Sequence, residues 1–94
     1  MENAFSIILQ DMRIVIEGAG EVGSHLAKML RMEGNEVLVI DSDQQRINNL
    51  SLYTDVETVV GNPTSIQTLK EARVEMADLF IAVYPFSTQE INIV

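Results

Sequence analysis

The sequence predicts an α/β domain built on a doubly wound parallel sheet, and three observations carry that prediction. Short Val/Ile-rich runs alternate with segments of helical periodicity, helix-starting residues follow the runs, and three glycines spaced G-x-G-x-x-G separate the first run from the first helical segment. Right-handed crossovers, with the glycine loop after the first strand, give the strand order 3-2-1-4. That order puts a crevice between the first and fourth strands, where the winding reverses.

The first strand is "RIVIE", Arg13–Glu17, followed by a helix on which Val22, Leu26, Met29 and Leu30 recur at helical offsets as an apolar face. Gly34 and Asn35 stop that helix. "EVLVID", Glu36–Asp41, "VETVV", Val56–Val60, and "DLFIAV", Asp78–Val83, are the next three strands, each read as buried and each bounded by Gly, Pro or Asp. Ser42-x-x-Gln45, Thr64-x-x-Gln67 and Ser87-x-x-Glu90 read as capping boxes that start the following helices. Gly61 ends the third strand, and Pro63 and Pro85 fall just past strand ends, where a missing amide costs no ladder bond. "MENAFSIILQD", residues 1–11, belongs to no βα unit and stands as an N-terminal extension, with residues 12–94 forming the domain.

The glycine spacing gains weight from its setting. Gly18, Gly20 and Gly23 follow a strand and open a helix, and an acid, Asp41, ends the next strand roughly 20 residues on, which together make a Rossmann-like dinucleotide fingerprint. Gly18 permits the tight turn, Gly20 lets the backbone approach a pyrophosphate, and Gly23 lets the helix pack close. Backbone amides and the helix dipole bind an anion without a basic side chain, so the neighbouring Glu17 and Glu21 are compatible with phosphate if they are solvated rim residues. If either carboxylate faces the phosphates instead, it weakens anion binding or recruits a divalent cation. Asp41 suits the hydroxyls of a ribose and repels a 2′-phosphate, favouring NAD(H) or an adenosine nucleotide over NADP(H). Arg46 either covers an adenine face or pairs with Asp43. Asn62, beside Gly61, either hydrogen-bonds adenine or shapes the turn into Thr64.

Composition excludes other classes. The 94 residues are 47% hydrophobic, enough for one domain and too few for a second, catalytic one. Six Lys plus Arg against fourteen Asp plus Glu give a net charge of −8, with the basic residues scattered, so nucleic acid and anionic membrane are not expected partners. The sequence contains no cysteine and one histidine, His25, which argues against a thiolate metal site. No apolar run approaches the ~18 residues of a membrane span, and no basic start marks a signal peptide, so a cytoplasmic domain without direct membrane insertion is expected.

The runs "MRIVIEGAGEVGSHLAKMLRMEGNEVLVIDSDQQRI", "VVGNPTS" and "ADLFIAVYP" together resemble the N-terminal nucleotide-binding domain of the Trk-type potassium-uptake regulators, the module also found as regulator-of-conductance domains. The resemblance runs from about Met12 to the C-terminus. It implies a non-enzymatic domain that binds NAD(H), ATP or ADP, assembles into homo-oligomers and passes its state to a membrane potassium-translocating subunit from the cytoplasmic face. Carried onto this chain, the phosphate loop is Gly18, Ala19, Gly20, Glu21, Val22 and Gly23. The ribose acid is Asp41, with Ser42 after it, the following arginine is Arg46, the adenine-side pair is Gly61 and Asn62, and the residues after the fourth strand are Ala82 and Val83. The family usually has aspartate at the position of Asn62 and threonine at that of Tyr84. It also continues for two further strands, whereas this sequence stops within the helix starting near Ser87, so a fragment truncated before strands five and six is expected.

The alternative function is the cofactor half of an NAD-dependent dehydrogenase, because a fold does not fix a function. No catalytic set of Ser, His and Asp is placed in the sequence, which favours the regulator. The outer edge of the fourth strand is expected to seek a partner, either "AFSIIL" or a second copy of the chain.

Overall fold

A computed structural model describes residues 10–83. Residues 1–9 of the N-terminal run, Tyr84, Pro85 and the Ser87 capping box lie outside the described residues.

Four parallel strands form one sheet in the order β3-β2-β1-β4, with β1 at Arg13–Glu17, β2 at Glu36–Asp41, β3 at Glu57–Val60 and β4 at Leu79–Ala82. The connections are α1 (Glu21–Met32), α2 (Gln44–Tyr53), and α3 (Ile66–Glu71) followed by a 3₁₀ turn at Val74–Met76. This is the predicted Rossmann-like topology. Ile14 lies beside Val37 and Leu79, and Glu17 beside Ile40 and Ala82, so the ends of β1, β2 and β4 reach one level at the top of the sheet.

The strand pleat divides the core into two. Ile14, Ile16, Val37 and Val39 pack with Ala27, Leu30, Ile47 and Leu50 of α1 and α2, while Val15, Leu38, Ile40 and Val59 pack with Ala72 on the α3 side. Both central strands are therefore buried on two faces, which is why their sequences are unbroken apolar runs. The expectation of four buried strands fails at the edges. In β3 only Val59 is buried, and in β4 Leu79 and Ile81 are half-buried while Phe80 and Ala82 are exposed.

The buried stripe of α1 is Gly23, Ala27 and Leu30, with Leu26 partly buried against the same core. Val22 and Met29, expected on the apolar face, are exposed, because the helix lies close to the sheet and presents its small residues there. Its C-terminus is a Schellman arrangement: Asn35 N–H donates to the Leu30 carbonyl and Gly34 N–H to that of Arg31, with Gly34 at φ 95°. The fully buried Asn35 side chain then accepts Met12 N–H at 3.1 Å and donates to the Leu30 carbonyl at 2.9 Å, tying the entry of β1 to the exit of α1.

Two predicted caps move by one residue. Asp43, not Ser42, caps α2, its carboxylate accepting the amides of Gln45 and Arg46. Ser65, not Thr64, stands at the N-terminus of α3, since Thr64 gives both its amide and its hydroxyl to the side chain of Asn62, at 2.9 and 2.7 Å.

Candidate functional site

The glycine loop joins β1 to α1 at the top of the sheet. Gly18 has φ 118°, and a side chain there would run into the carbonyl of Val83, the residue that follows β4. A side chain on Gly23 would run into the carbonyl of Gly18, so the first turn of α1 sits directly against the loop. Gly20 differs: its φ is −72° and an added Cβ would meet nothing within 4 Å. Neither backbone conformation nor packing demands glycine there. The space in front of it is open, and the amides at the start of a 12-residue helix border it, the arrangement that receives an anion.

Asp41 holds this loop to its neighbours. Only 6% exposed, it accepts Ala19 N–H on Oδ2 and Asp43 N–H on Oδ1, both at 2.8 Å. Its backbone carbonyl accepts Gly61 N–H at 3.1 Å, while Gly18 N–H donates to the carbonyl of Ile40 at 2.8 Å. Arg46 Nη1 lies 3.7 Å from Asp41 Oδ2 and its Nε 3.8 Å from Asp43 Oδ2, which places the guanidinium between the two carboxylates. The pairing with Asp43 was one of the two sequence readings; that with Asp41 was not foreseen.

Two small cavities flank the loop. One, of about 240 Å³, is lined by Gly18, Gly20, Glu21, Val22, Gly23, Arg46 and Val83. The other, of about 160 Å³, lies against Gly18, Asp41, Ser42, Arg46 and Val83, with Glu17, Ile40 and Pro63. Most of the predicted residues are thus brought together, with Ala19 joined through its bond to Asp41. Gly61 is tied to Asp41 through its backbone, Asn62 is occupied with the turn into Thr64, and Ala82 pairs in register with Glu17. Among the described residues no group of three or more His, Asp or Glu is placed to hold a metal ion.

One expectation is overturned. Glu17 is not a solvated rim residue: it is 7% exposed, lines the smaller cavity, and its carbonyl accepts Val83 N–H at 2.8 Å. Its position explains this, because the pleat that points Val15 and Ile40 to the α3 side of the sheet points Glu17 there too. Glu21, on the first turn of α1, is exposed as expected.

A groove of about 460 Å³ between α1 and α2 was missed. Ser24, His25 and Lys28 of α1 face Asn49, Leu50 and Tyr53 of α2 across it, and it opens at the loop on Ala19, Gly20, Glu21 and Arg46. The signal was present as matched i, i+3, i+4, i+7 stripes, Glu21-Ser24-His25-Lys28 and Arg46-Asn49-Leu50-Tyr53.

Comparison with known proteins identifies the family and the fold. The family model described as TrkA-N domain matches residues 14–94. The Trk system potassium uptake protein TrkA of Halomonas elongata is 40% identical over 83 residues, 88% of this chain and 18% of that protein. The Trk system potassium uptake protein TrkA homolog of Archaeoglobus fulgidus is 46% identical over 72 residues, 77% of this chain and 16% of that protein. The chain therefore spans less than a fifth of these two relatives. Among solved structures, N5-carboxyaminoimidazole synthetase from Staphylococcus aureus complexed with ADP superposes with a TM-score of 0.66 at 18% identity, covering 89% of this chain and 22% of that one. L-tryptophan dehydrogenase from Nostoc punctiforme gives 0.61 at 22% identity, covering 89% and 24%. At such identities these two likenesses speak to the fold alone.

Proposed function

The chain belongs to the TrkA-N domain family, and on that premise we propose that it is a nucleotide-binding regulatory domain of a Trk-type potassium uptake system. The observation that carries the nucleotide reading is the contrast within the glycine loop. Gly18 and Gly23 are demanded by backbone contacts, whereas Gly20, at the N-cap of α1, faces open space beside the helix amides, where the lack of a side chain leaves room for a ligand. The residues present fit a phosphate group held by amides, with Asp41 beside it at the height of a ribose.

In this reading NAD(H), or ATP or ADP, lies across the loop, with its phosphates on the amides of the Gly18–Gly23 segment and its ribose hydroxyls donating to the outward lone pairs of Asp41. Asp41 and Glu17 together disfavour a further phosphate on that ribose. Occupancy is read by a membrane potassium-translocating subunit, the partner that the names of the relatives imply. Among the described residues no helix is long and apolar enough to cross a membrane. In this reading the domain acts on that partner from the cytoplasmic side. The likeness to a dehydrogenase is one of fold, and the family match is to potassium uptake proteins.

Calorimetric titration of the chain with NADH, NAD, NADPH, ATP and ADP tests the reading. Saturable binding of at least one, with NADPH weaker than NADH, is expected. Absence of binding by all five overturns it.

A further inference from the structure

The carboxylate assigned to the ribose is already engaged by the protein. Oδ2 of Asp41 accepts the Ala19 amide and Oδ1 the Asp43 amide, both at 2.8 Å, and Arg46 stands 3.7 Å from Oδ2. Ala19 is the residue between Gly18 and Gly20, and like Asp41 it is nearly fully buried. The loop is pinned near its two ends by backbone packing, Gly18 against Val83 and Gly23 against Gly18. Between them Ala19 has its side chain in the core and its carbonyl on Ser24 Oγ at 2.9 Å, while its amide is held by a side chain from the next strand; directly beyond it, a side chain on Gly20 would meet nothing within 4 Å. A carboxylate has about four acceptor directions, so two bonds to amides leave two for ribose hydroxyls.

We infer that Asp41 is a positioning residue for the phosphate-binding loop as well as a ribose acceptor, so that sugar and phosphate recognition are coupled through one carboxylate. The inference rests on the nucleotide reading above and adds a role that a ribose acceptor does not require. Its consequence has a sign. Coulomb's law says that removing a negative charge beside a bound phosphate tightens binding. Losing the clamp on the Ala19 amide loosens the loop, reduces its preorganisation and weakens binding.

Inorganic pyrophosphate separates the two effects, because it has no ribose. The 94-residue chain and its Asp41→Asn variant are titrated with pyrophosphate and with ADP. The carboxamide keeps one acceptor and loses the other, so pyrophosphate affinity is expected to fall by about tenfold, the scale of one charge-assisted hydrogen bond. In the free variant the Ala19 amide resonance shifts while those of Ile14 and Val39, in the core, stay in place. Pyrophosphate binding that is unchanged or tighter while ADP weakens overturns the inference and leaves the nucleotide reading standing. Failure of both ADP and pyrophosphate to bind the unaltered chain overturns both. Should the variant not fold, hydrogen exchange in the unaltered chain decides: an Ala19 amide protected about tenfold or more over an unstructured peptide supports the clamp, and exchange at the unprotected rate overturns it.

Discussion

Asp41 reaches across 22 residues of sequence to accept the amide of Ala19 at 2.8 Å, in a buried hydrogen bond that joins the end of β2 to the turn after β1. Strand order makes the bond possible, since β1 and β2 are neighbours in register and end at the same height. Residues that the fingerprint treats as separate contacts to a ligand are thus first contacts to each other. Several measurements follow from that arrangement and from the backbone around it.

Two of the loop glycines, Gly23 and Gly20, are expected to respond differently to a single methyl group. Gly23→Ala drives a Cβ into the Gly18 carbonyl and is expected to cost at least ~1–3 kcal/mol, the usual penalty of overpacking. Gly20→Ala meets nothing within 4 Å, so its cost is confined to the exchange at the N-cap of α1 and is expected to stay below ~1 kcal/mol. Urea denaturation of both variants checks the contrast, and equal losses would contradict the packing described for the loop.

Function should reverse that ranking at Gly20. Gly20→Val leaves the fold intact but places two methyl groups in the space before the helix amides, so nucleotide binding is expected to be lost. Circular dichroism establishes the fold and calorimetry the binding. Retention of wild-type affinity would remove Gly20 from the site.

The cap of α2 gives a third test. Asp43→Ala removes the acceptor for the amides of Gln45 and Arg46 and frees one side of the Arg46 guanidinium, with an expected loss of ~1 kcal/mol. Ser42→Ala is expected to fall within ~0.5 kcal/mol of wild type. For a domain of this size ~1 kcal/mol corresponds to ~4–8 °C in the melting midpoint, enough to separate the two.

These cases show which parts of the molecule could be read from the sequence. The limits of β1 and β2 are legible because burial on both faces forces an apolar run with polar residues at its ends. The cap of α2 is misplaced by one because Ser42 and Asp43 are both good caps, and the choice depends on Asp41, whose carboxylate takes the amide of Asp43. The face of α1 is misread because it touches the sheet through Gly23 and Ala27, small residues that carry little hydrophobic signal, while Val22 and Met29 face outward. The burial of Glu17 is illegible for the opposite reason: a charged residue at a strand end reads as exposed, and its place between β2 and β4, beside Ile40 and Ala82, is set by the strand order.

Arg73 follows α3 in the left-handed region, at φ 54° and ψ 49°, where an L-residue other than Asn or Gly carries a steric penalty. Its amide donates to the Lys70 carbonyl, a helix-ending bond that glycine forms equally well. Arg73→Gly is therefore expected to stabilise the chain by ~0.5–1 kcal/mol, despite the greater freedom of glycine in the unfolded state. A lowered melting midpoint would show that the arginine side chain contributes more than the backbone strain costs.

The last prediction concerns the outer edge of β4. Among the described residues nothing pairs with that side, and Phe80 is 38% exposed on the strand, so homo-oligomerisation through this edge is the assembly we propose. The direction of the amides decides how to test it. Val83 N–H donates to the Glu17 carbonyl on β1, and successive amides in a strand alternate sides, so Ile81 N–H also points to β1 while those of Phe80 and Ala82 point outward. Ile81→Pro would break the bond between β1 and β4 and unfold the sheet locally, which makes it unsuitable as a probe of the edge. Ala82→Pro removes an outward amide, a position where an edge strand tolerates proline. It is expected to leave the thermal midpoint nearly unchanged while converting an edge-paired oligomer to monomer in sedimentation velocity. An oligomer that survives Ala82→Pro intact would place the interface elsewhere, with the exposed Val22, Met29 and Met32 of α1 as the surface to alter next.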